Sequence, residues 1–181
     1  VEIHYKISEN SKNNCFEIID SGVGMTQKEL QTGLILRGAS DEKRQNLRNR
    51  KGIFGMGMKV SILGMGWHMK IHTRALNEEN KEHIVEINTR DINSGKLRLE
   101  EIEFEEHEHL LDGPLNNKKS GTAIIIKDLN KRNLATDAII KRLSSSFSEQ
   151  LSSGEAKINF VESHPNSPPV ETSCEYSHPP M

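Results

Sequence analysis

The chain has 181 residues, of which 28% are charged and only 4% aromatic, and its formal net charge is −2. This length suits one sizeable hydrophobic core, which aliphatic side chains and methionine must supply because aromatic rings are scarce. The small net charge gives no electrostatic argument for binding nucleic acid or an anionic membrane surface.

The first predicted elements are a β-hairpin and a short helix. Residues 1–7 alternate between apolar and polar side chains, as a half-buried strand does. Residues 16–19 are typical of a second strand, which ends at Asp20. Thr26 is then predicted to cap a helix, and Glu29, three residues on, completes a capping box.

The rest of the chain is predicted to alternate between strands and helices. Residues 38–51 are nearly all polar and are predicted to form a mobile loop, since they have little apolar surface to bury. Strands are predicted at 67–75, 83–89, 96–104, 121–129 and 157–161, and helices at 58–63 and 134–151. Neighbouring strands of this kind predict an α+β fold, a two-layer α/β sandwich with a mostly antiparallel mixed sheet and helices on one face.

A first glycine motif, Asp-Ser-Gly-Val-Gly-Met at residues 20–25, follows the second strand. A carboxylate there can accept a hydrogen bond from the exocyclic amine of an adenine ring. Gly22 and Gly24 lack side chains, so a flat ring could lie against the backbone. An ordinary glycine turn before a helix explains the same residues equally well, and the motif alone leaves both interpretations open.

A second glycine motif, Gly-Ile-Phe-Gly-Met-Gly-Met-Lys, occupies residues 52–59. Its spacing is neither that of a P-loop nor that of a dinucleotide or protein-kinase glycine loop. Its unobstructed backbone N–H groups precede a predicted helix and would attract an anion. A flexible hinge is the alternative, but a hinge does not account for Lys59, a cation that opposes the helix dipole unless phosphate is bound.

In this order, with a polar segment between them, the two motifs resemble those of the GHKL ATPase superfamily. That superfamily includes gyrase B, the ninety-kilodalton heat-shock chaperone, histidine kinases and the MutL proteins. The methionine that ends the first motif is most similar to the chaperone, MutL and MORC branches, and Ser120-Gly121-Thr122 resembles the family's later Gly-Thr element. The resemblance implies a Bergerat-fold ATP-binding domain at residues 1–162, with a lid at about 38–56, and a tail or linker at 163–181.

The resemblance also implies a role for each matching residue. Asp20 would hold the adenine amine and Thr122 would reach the base, while the second motif would bring backbone N–H groups and the charge of Lys59 to the phosphates. The residues expected to contact the nucleotide are Asp20, Gly22, Gly24, Met25, Gly38, Ser40, Gly52, Phe54, Gly55, Met56, Gly57, Met58, Lys59 and Thr122.

ATP with Mg²⁺ is the implied ligand, and hydrolysis is the implied activity of the full-length protein. In the family, a helix before the first strand carries the glutamate that activates water and the asparagine that binds Mg²⁺. Val1 already lies in the following strand, so this chain has no assigned catalytic base or Mg²⁺ ligand, and the natural protein is expected to begin earlier.

The family's mechanism implies lid closure on ATP and homodimerisation. A module of the same fold without turnover and a histidine-kinase-like phosphotransfer domain are the alternatives. The resemblance leaves the client, protein or DNA, open.

The remaining signals point away from metal and membrane. Cys15 and Cys174 are isolated, which favours an intracellular location, cytoplasmic or nuclear. No apolar run approaches the ~20 residues of a membrane-spanning helix. His107 and His109 would share one strand face, but no further ligand has supporting spacing, so a solvated polar edge is preferred and no metal site is predicted.

Overall fold

The computed structural model describes residues 1–34, 65–78, 81–98, 101–108, 112–130 and 135–176. Within these ranges the strands are β1 (Glu2–Lys6), β2 (Cys15–Ile19), β3 (Gly66–Arg74), β4 (Lys81–Asn88), β5 (Glu105–Glu108), β6 (Gly121–Leu129), β7 (Asn159–Ser163) and β8 (Val170–Ser173). The helices are α1 (Gln27–Leu34), α2 (Thr89–Asn93), α3 (Thr136–Ser146) and α4 (Ser148–Ser153), with a short 3₁₀ turn at Ser11–Asn13.

These strands form one sheet of eight, in the order β5-β4-β3-β6-β2-β1-β7-β8. Only the β1–β7 pair is parallel among the described strands. The predicted fold class, an α+β fold with a mostly antiparallel mixed sheet, is therefore confirmed. Strand β6 lies between β2 and β3 and is antiparallel to both. The start of β6 therefore lies beside the C-terminal ends of β2 and β3, at one end of the strands.

The main hydrophobic core covers one face of the sheet. Alternate residues of the strands, such as Phe16, Ile71 and Val85, are buried in it. Helix α1 adds Leu30 and Leu34, and helix α3 packs its apolar side chains, such as Leu143, against the same cluster. We call this side the core face.

The opposite face carries a buried cluster of charged groups. Glu82 is 0% exposed, and its carboxylate oxygens lie 2.8 Å from His72 Nδ1 and 2.7 Å from Arg74 Nη2. Arg74 Nη1 donates to the carbonyl oxygens of Leu115 and Lys118, which fixes the segment before β6 over this face. Burial alone would raise the pKa of Glu82, but hydrogen bonds and charge from His72 and Arg74 outweigh it, so the pKa lies below its usual value.

Most of the predicted elements are present, with ends shifted by a few residues. The predicted capping box is confirmed, since Thr26 N–H donates to Glu29 Oε2 at 3.0 Å and Glu29 N–H donates to Thr26 Oγ1 at 3.3 Å. The predicted loop at 38–51 and helix at 58–63 lie outside the described residues. Among the helices that the structure does describe, none has the length and apolar composition needed to cross a membrane.

Three element predictions differ from the structure. The strand predicted at 96–104 is wrong in its described parts, because the backbone N–H groups of Lys96 and Leu97 turn back onto Asp91 O, and β5 begins only at Glu105. The single helix predicted over 134–151 is interrupted at Phe147, whose φ of −112° departs from helical geometry. Strand β8 lies within the segment predicted as a tail, so the sheet continues past residue 163.

Candidate functional site

The first glycine motif forms a turn directly after the C-terminal end of β2. The backbone N–H of Asp20 donates to Thr122 O at 2.9 Å, which joins the turn to the start of β6. Asp20 Oδ1 accepts from Gly22 N–H at 2.8 Å, so the side chain stabilises its own turn. In the described part of the chain Oδ2 accepts no hydrogen bond, and this oxygen is the one available to a ligand.

Gly24 allows the turn to lie directly on the backbone of β3. Its φ is +65°, and a Cβ added there would lie 1.8 Å from Arg74 O. Val23 O in turn accepts from Leu76 N–H at 2.8 Å, just beyond the end of β3. Residues 20–25 are therefore held against β3 at a distance that only glycine permits.

Gly121 has the corresponding role on the β6 side. Its φ is +144°, and a Cβ there would lie 2.2 Å from Asp20 O. Ser120 Oγ donates to Gly22 O at 2.8 Å and adds a second tie between the two segments. The Gly-Thr element is thus in contact with the first glycine motif, and Asp20, Gly22 and Thr122 come together at one place.

Thr73, on β3, belongs to the same site although the sequence analysis did not identify it. Its side chain is 0% exposed, and its hydroxyl oxygen accepts from Met25 N–H at 2.8 Å. The same oxygen lies 3.2 Å from Thr122 Oγ1 and 3.3 Å from Gly121 O. A threonine near the end of a predicted strand carries no distinctive sequence signal, since only the strand order places it beside Met25.

Together these groups offer a ligand both a hydrogen-bond acceptor and a hydrogen-bond donor. The Asp20 carboxylate can only accept hydrogen bonds, whereas the Thr122 hydroxyl can donate one. An acceptor beside a donor matches a heterocycle that presents an amine next to an unprotonated ring nitrogen. Gly24 and Met25, both half-buried, border this group of residues.

The remaining predicted site residues lie outside the part of the chain that the structure describes. They are Gly38, Ser40, Gly52, Phe54, Gly55, Met56, Gly57, Met58 and Lys59. His109 is likewise outside it, while His107 is exposed and lies 2.9 Å from Glu105. No group of three or more His, Cys, Asp or Glu side chains among the described residues is arranged to hold a metal ion.

A family model described as histidine kinase-, DNA gyrase B-, and HSP90-like ATPase matches residues 1–122 of the chain. The match covers more than half of the 181 residues, and the chain belongs to this GHKL-type ATPase family. No curated protein matches the chain. The resemblance found in the motifs is thereby confirmed at the level of the superfamily, whose domains bind ATP or ADP, usually with Mg²⁺.

Proposed function

We propose that this chain binds the adenine of ATP at residues 20–25 and Thr122, and that bound ATP controls a conformational cycle. The observation that carries the proposal is the meeting of Asp20 with Thr122, whose backbones are joined by a 2.9 Å hydrogen bond. Asp20 Oδ2 accepts from the exocyclic amine, and the Thr122 hydroxyl donates to the neighbouring ring nitrogen. Gly22, Gly24 and Met25 border the base.

The phosphates are assigned to the second glycine motif. In this proposal Gly52, Phe54 and residues 55–58 supply backbone N–H groups, and Lys59 adds a positive charge. Gly38 and Ser40 lie near the nucleotide from within the lid, at about residues 38–56. ATP stabilises the closed lid because it contacts that state better, and closure favours homodimerisation.

Hydrolysis is proposed for the full-length protein, with a chaperone-, MutL- or MORC-like intracellular role. This chain supplies no assigned base or Mg²⁺ ligand, so turnover is tested separately from binding. If the chain binds ATP and a non-hydrolysable analogue equally but releases no phosphate, a binding module without turnover is favoured. Transfer of labelled phosphate to the protein would instead favour a histidine-kinase-like domain. The domain boundary at residue 162 stays a prediction, and strand β8, which pairs with β7, lies beyond it.

Asp20→Asn tests the assignment of the base site. Asparagine can keep the hydrogen bond from Gly22 N–H but turns an amide donor toward the adenine amine. We expect ATP affinity to fall by about 1–3 kcal/mol, the range for a hydrogen bond to a charged group and for a buried donor left unpaired. Isothermal titration calorimetry measures this change directly.

Asp128→Asn is the matched control for that experiment. Asp128 lies near the other end of β6, where it pairs with Arg90 at 2.6 Å, and its φ of 52° is one that asparagine tolerates. This variant is expected to bind ATP as the unaltered chain does. Equal affinities for the Asp20 and Asp128 variants would refute the base assignment.

A further inference from the structure

Thr73 lies where the first glycine motif meets Thr122, and contacts on both faces of the sheet fix its position. It stands opposite Thr122 in the β3–β6 register. Its neighbours His72 and Arg74 point to the other face, where both pair with the buried Glu82. Thr73 can therefore shift only if that charged cluster or the β-ladder shifts with it.

The Thr73 hydroxyl bonds to protein groups, and when it donates to Thr122 Oγ1 the Thr122 proton stays free for the base. A threonine hydroxyl has one proton and two acceptor lone pairs. Met25 N–H occupies one lone pair at 2.8 Å, and Thr122 Oγ1 and Gly121 O lie within 3.3 Å of the same oxygen. With 0% of its side chain exposed, Thr73 cannot contact the base itself.

What Thr73 does connect are the two groups assigned to the base. Through Met25 N–H it anchors the C-terminal end of the turn that begins at Asp20, and through its hydroxyl it fixes the Thr122 side chain. Hydrogen bonds weaken steeply when distance or angle departs from the optimum. A shift of either partner would therefore weaken recognition of the base.

We propose that Thr73 is a positioning residue that sets the preference of this site for a 6-aminopurine. The inference rests on the proposed function, because it presupposes a purine base against Asp20 and Thr122. Thr73 acts by fixing the spacing between the carboxylate acceptor and the hydroxyl donor. The preference for the amine-bearing base then depends on a residue that never touches it.

Thr73→Val is the test, with purine-riboside triphosphate, which lacks the exocyclic amine, as the second ligand. We expect the unaltered chain to bind ATP at least about tenfold more tightly than this analogue, since the analogue leaves the Asp20 carboxylate without a donor. In Thr73→Val the preference should fall below about threefold, because Met25 N–H loses its acceptor and the turn relaxes. Thr73→Ser restores the hydroxyl and should restore the preference.

Thr89→Val separates positioning from mere stability. Thr89 is also 0% exposed and donates to the carbonyl oxygens of Gly66 and Trp67, at the opposite end of β3. The same substitution there also removes a buried, hydrogen-bonded threonine hydroxyl. Thr89→Val is expected to keep the full preference for ATP, and a loss of preference equal to that of Thr73→Val would overturn the inference.

The outcomes distinguish this inference from the proposed function. If the unaltered chain binds neither nucleotide, or binds both equally, the base assignment fails and the inference fails with it. If the unaltered chain prefers ATP and Thr73→Val keeps that preference, only the inference is overturned.

Amide hydrogen exchange provides a readout in the unaltered chain should Thr73→Val not fold. At equal saturation, ATP should slow exchange at Met25 N–H at least about threefold more than purine-riboside triphosphate does, because the base amine stabilises the turn that Thr73 anchors. Equal slowing by the two ligands would overturn the inference.

Discussion

Replacing Glu82 with glutamine should lower the free energy of unfolding by about 3–5 kcal/mol, the usual cost of breaking a buried ion pair. Both carboxylate oxygens of Glu82 are paired, at 2.8 Å to His72 and 2.7 Å to Arg74, and none of the residue is exposed. The substitution leaves the Arg74 guanidinium buried without its counter-charge. Urea denaturation, with the slope checked for constancy, measures the loss.

Glu86→Gln is the matched control for Glu82→Gln. Glu86 lies on the same strand and the same face, but its side chain is 66% exposed and 3.6 Å from Lys70. An exposed pair of this kind contributes at most about 1 kcal/mol, so this variant should be nearly as stable as the unaltered chain. Equal losses in the two variants would contradict the claim that the buried charge cluster stabilises the fold.

The contribution of Glu82 should also depend on pH in a defined direction. Its pKa is lower in the folded chain than in the unfolded chain, so folding favours the ionised form. The resulting stabilisation is complete above the unfolded pKa of about 4.3 and is lost as the pH falls through the folded value. The stability difference between the unaltered chain and Glu82→Gln should therefore shrink as the pH falls below about 5. A difference that grows below that pH would show the opposite sign.

Local sequence patterns predicted the elements whose stability is decided locally. The continuous β-branched run at 124–126 predicts a buried strand, and β6 indeed lies in the interior of the sheet. The Thr26–Glu29 capping box needs only four neighbouring residues. Strand β8 was missed and the bounds of β5 were not predicted, because these strands form the two edges of the described sheet, where a strand needs no apolar alternation. The β8 sequence Val-Glu-Thr-Ser is exposed throughout.

The candidate site divides in the same way between local and long-range contacts. Asp20 and Gly24 belong to one six-residue motif, and their positions follow from its glycines. The contact of Met25 with Thr73 spans 48 positions in sequence, and it exists because β3 neighbours β6 in the sheet. No periodicity encodes that neighbourhood. Thr73 therefore became identifiable only when the strand order was known.

The close approach between the first glycine motif and β3 gives the second large prediction. Gly24→Ala should lower the free energy of unfolding by about 2–4 kcal/mol, because a left-handed backbone costs alanine about 1 kcal/mol and forced overpacking adds about 1–3. The new Cβ would meet Arg74 O at 1.8 Å and Arg74 C at 2.5 Å. Strand β3 cannot move away from the new side chain, since it is paired with both β4 and β6.

Gly95→Ala isolates the clash from the conformational cost. Gly95 has nearly the same backbone conformation, with a φ of +72°, but nothing lies within 4 Å of a Cβ there. This control should therefore lose only the conformational part, about 1 kcal/mol. The difference between the two variants in urea denaturation measures the steric cost of moving the turn away from Arg74.

Any such movement also displaces Asp20, so Gly24→Ala should weaken ATP binding while Gly95→Ala leaves it unchanged. If Gly24→Ala is no less stable than Gly95→Ala and binds ATP equally well, the turn does not depend on its contact with β3.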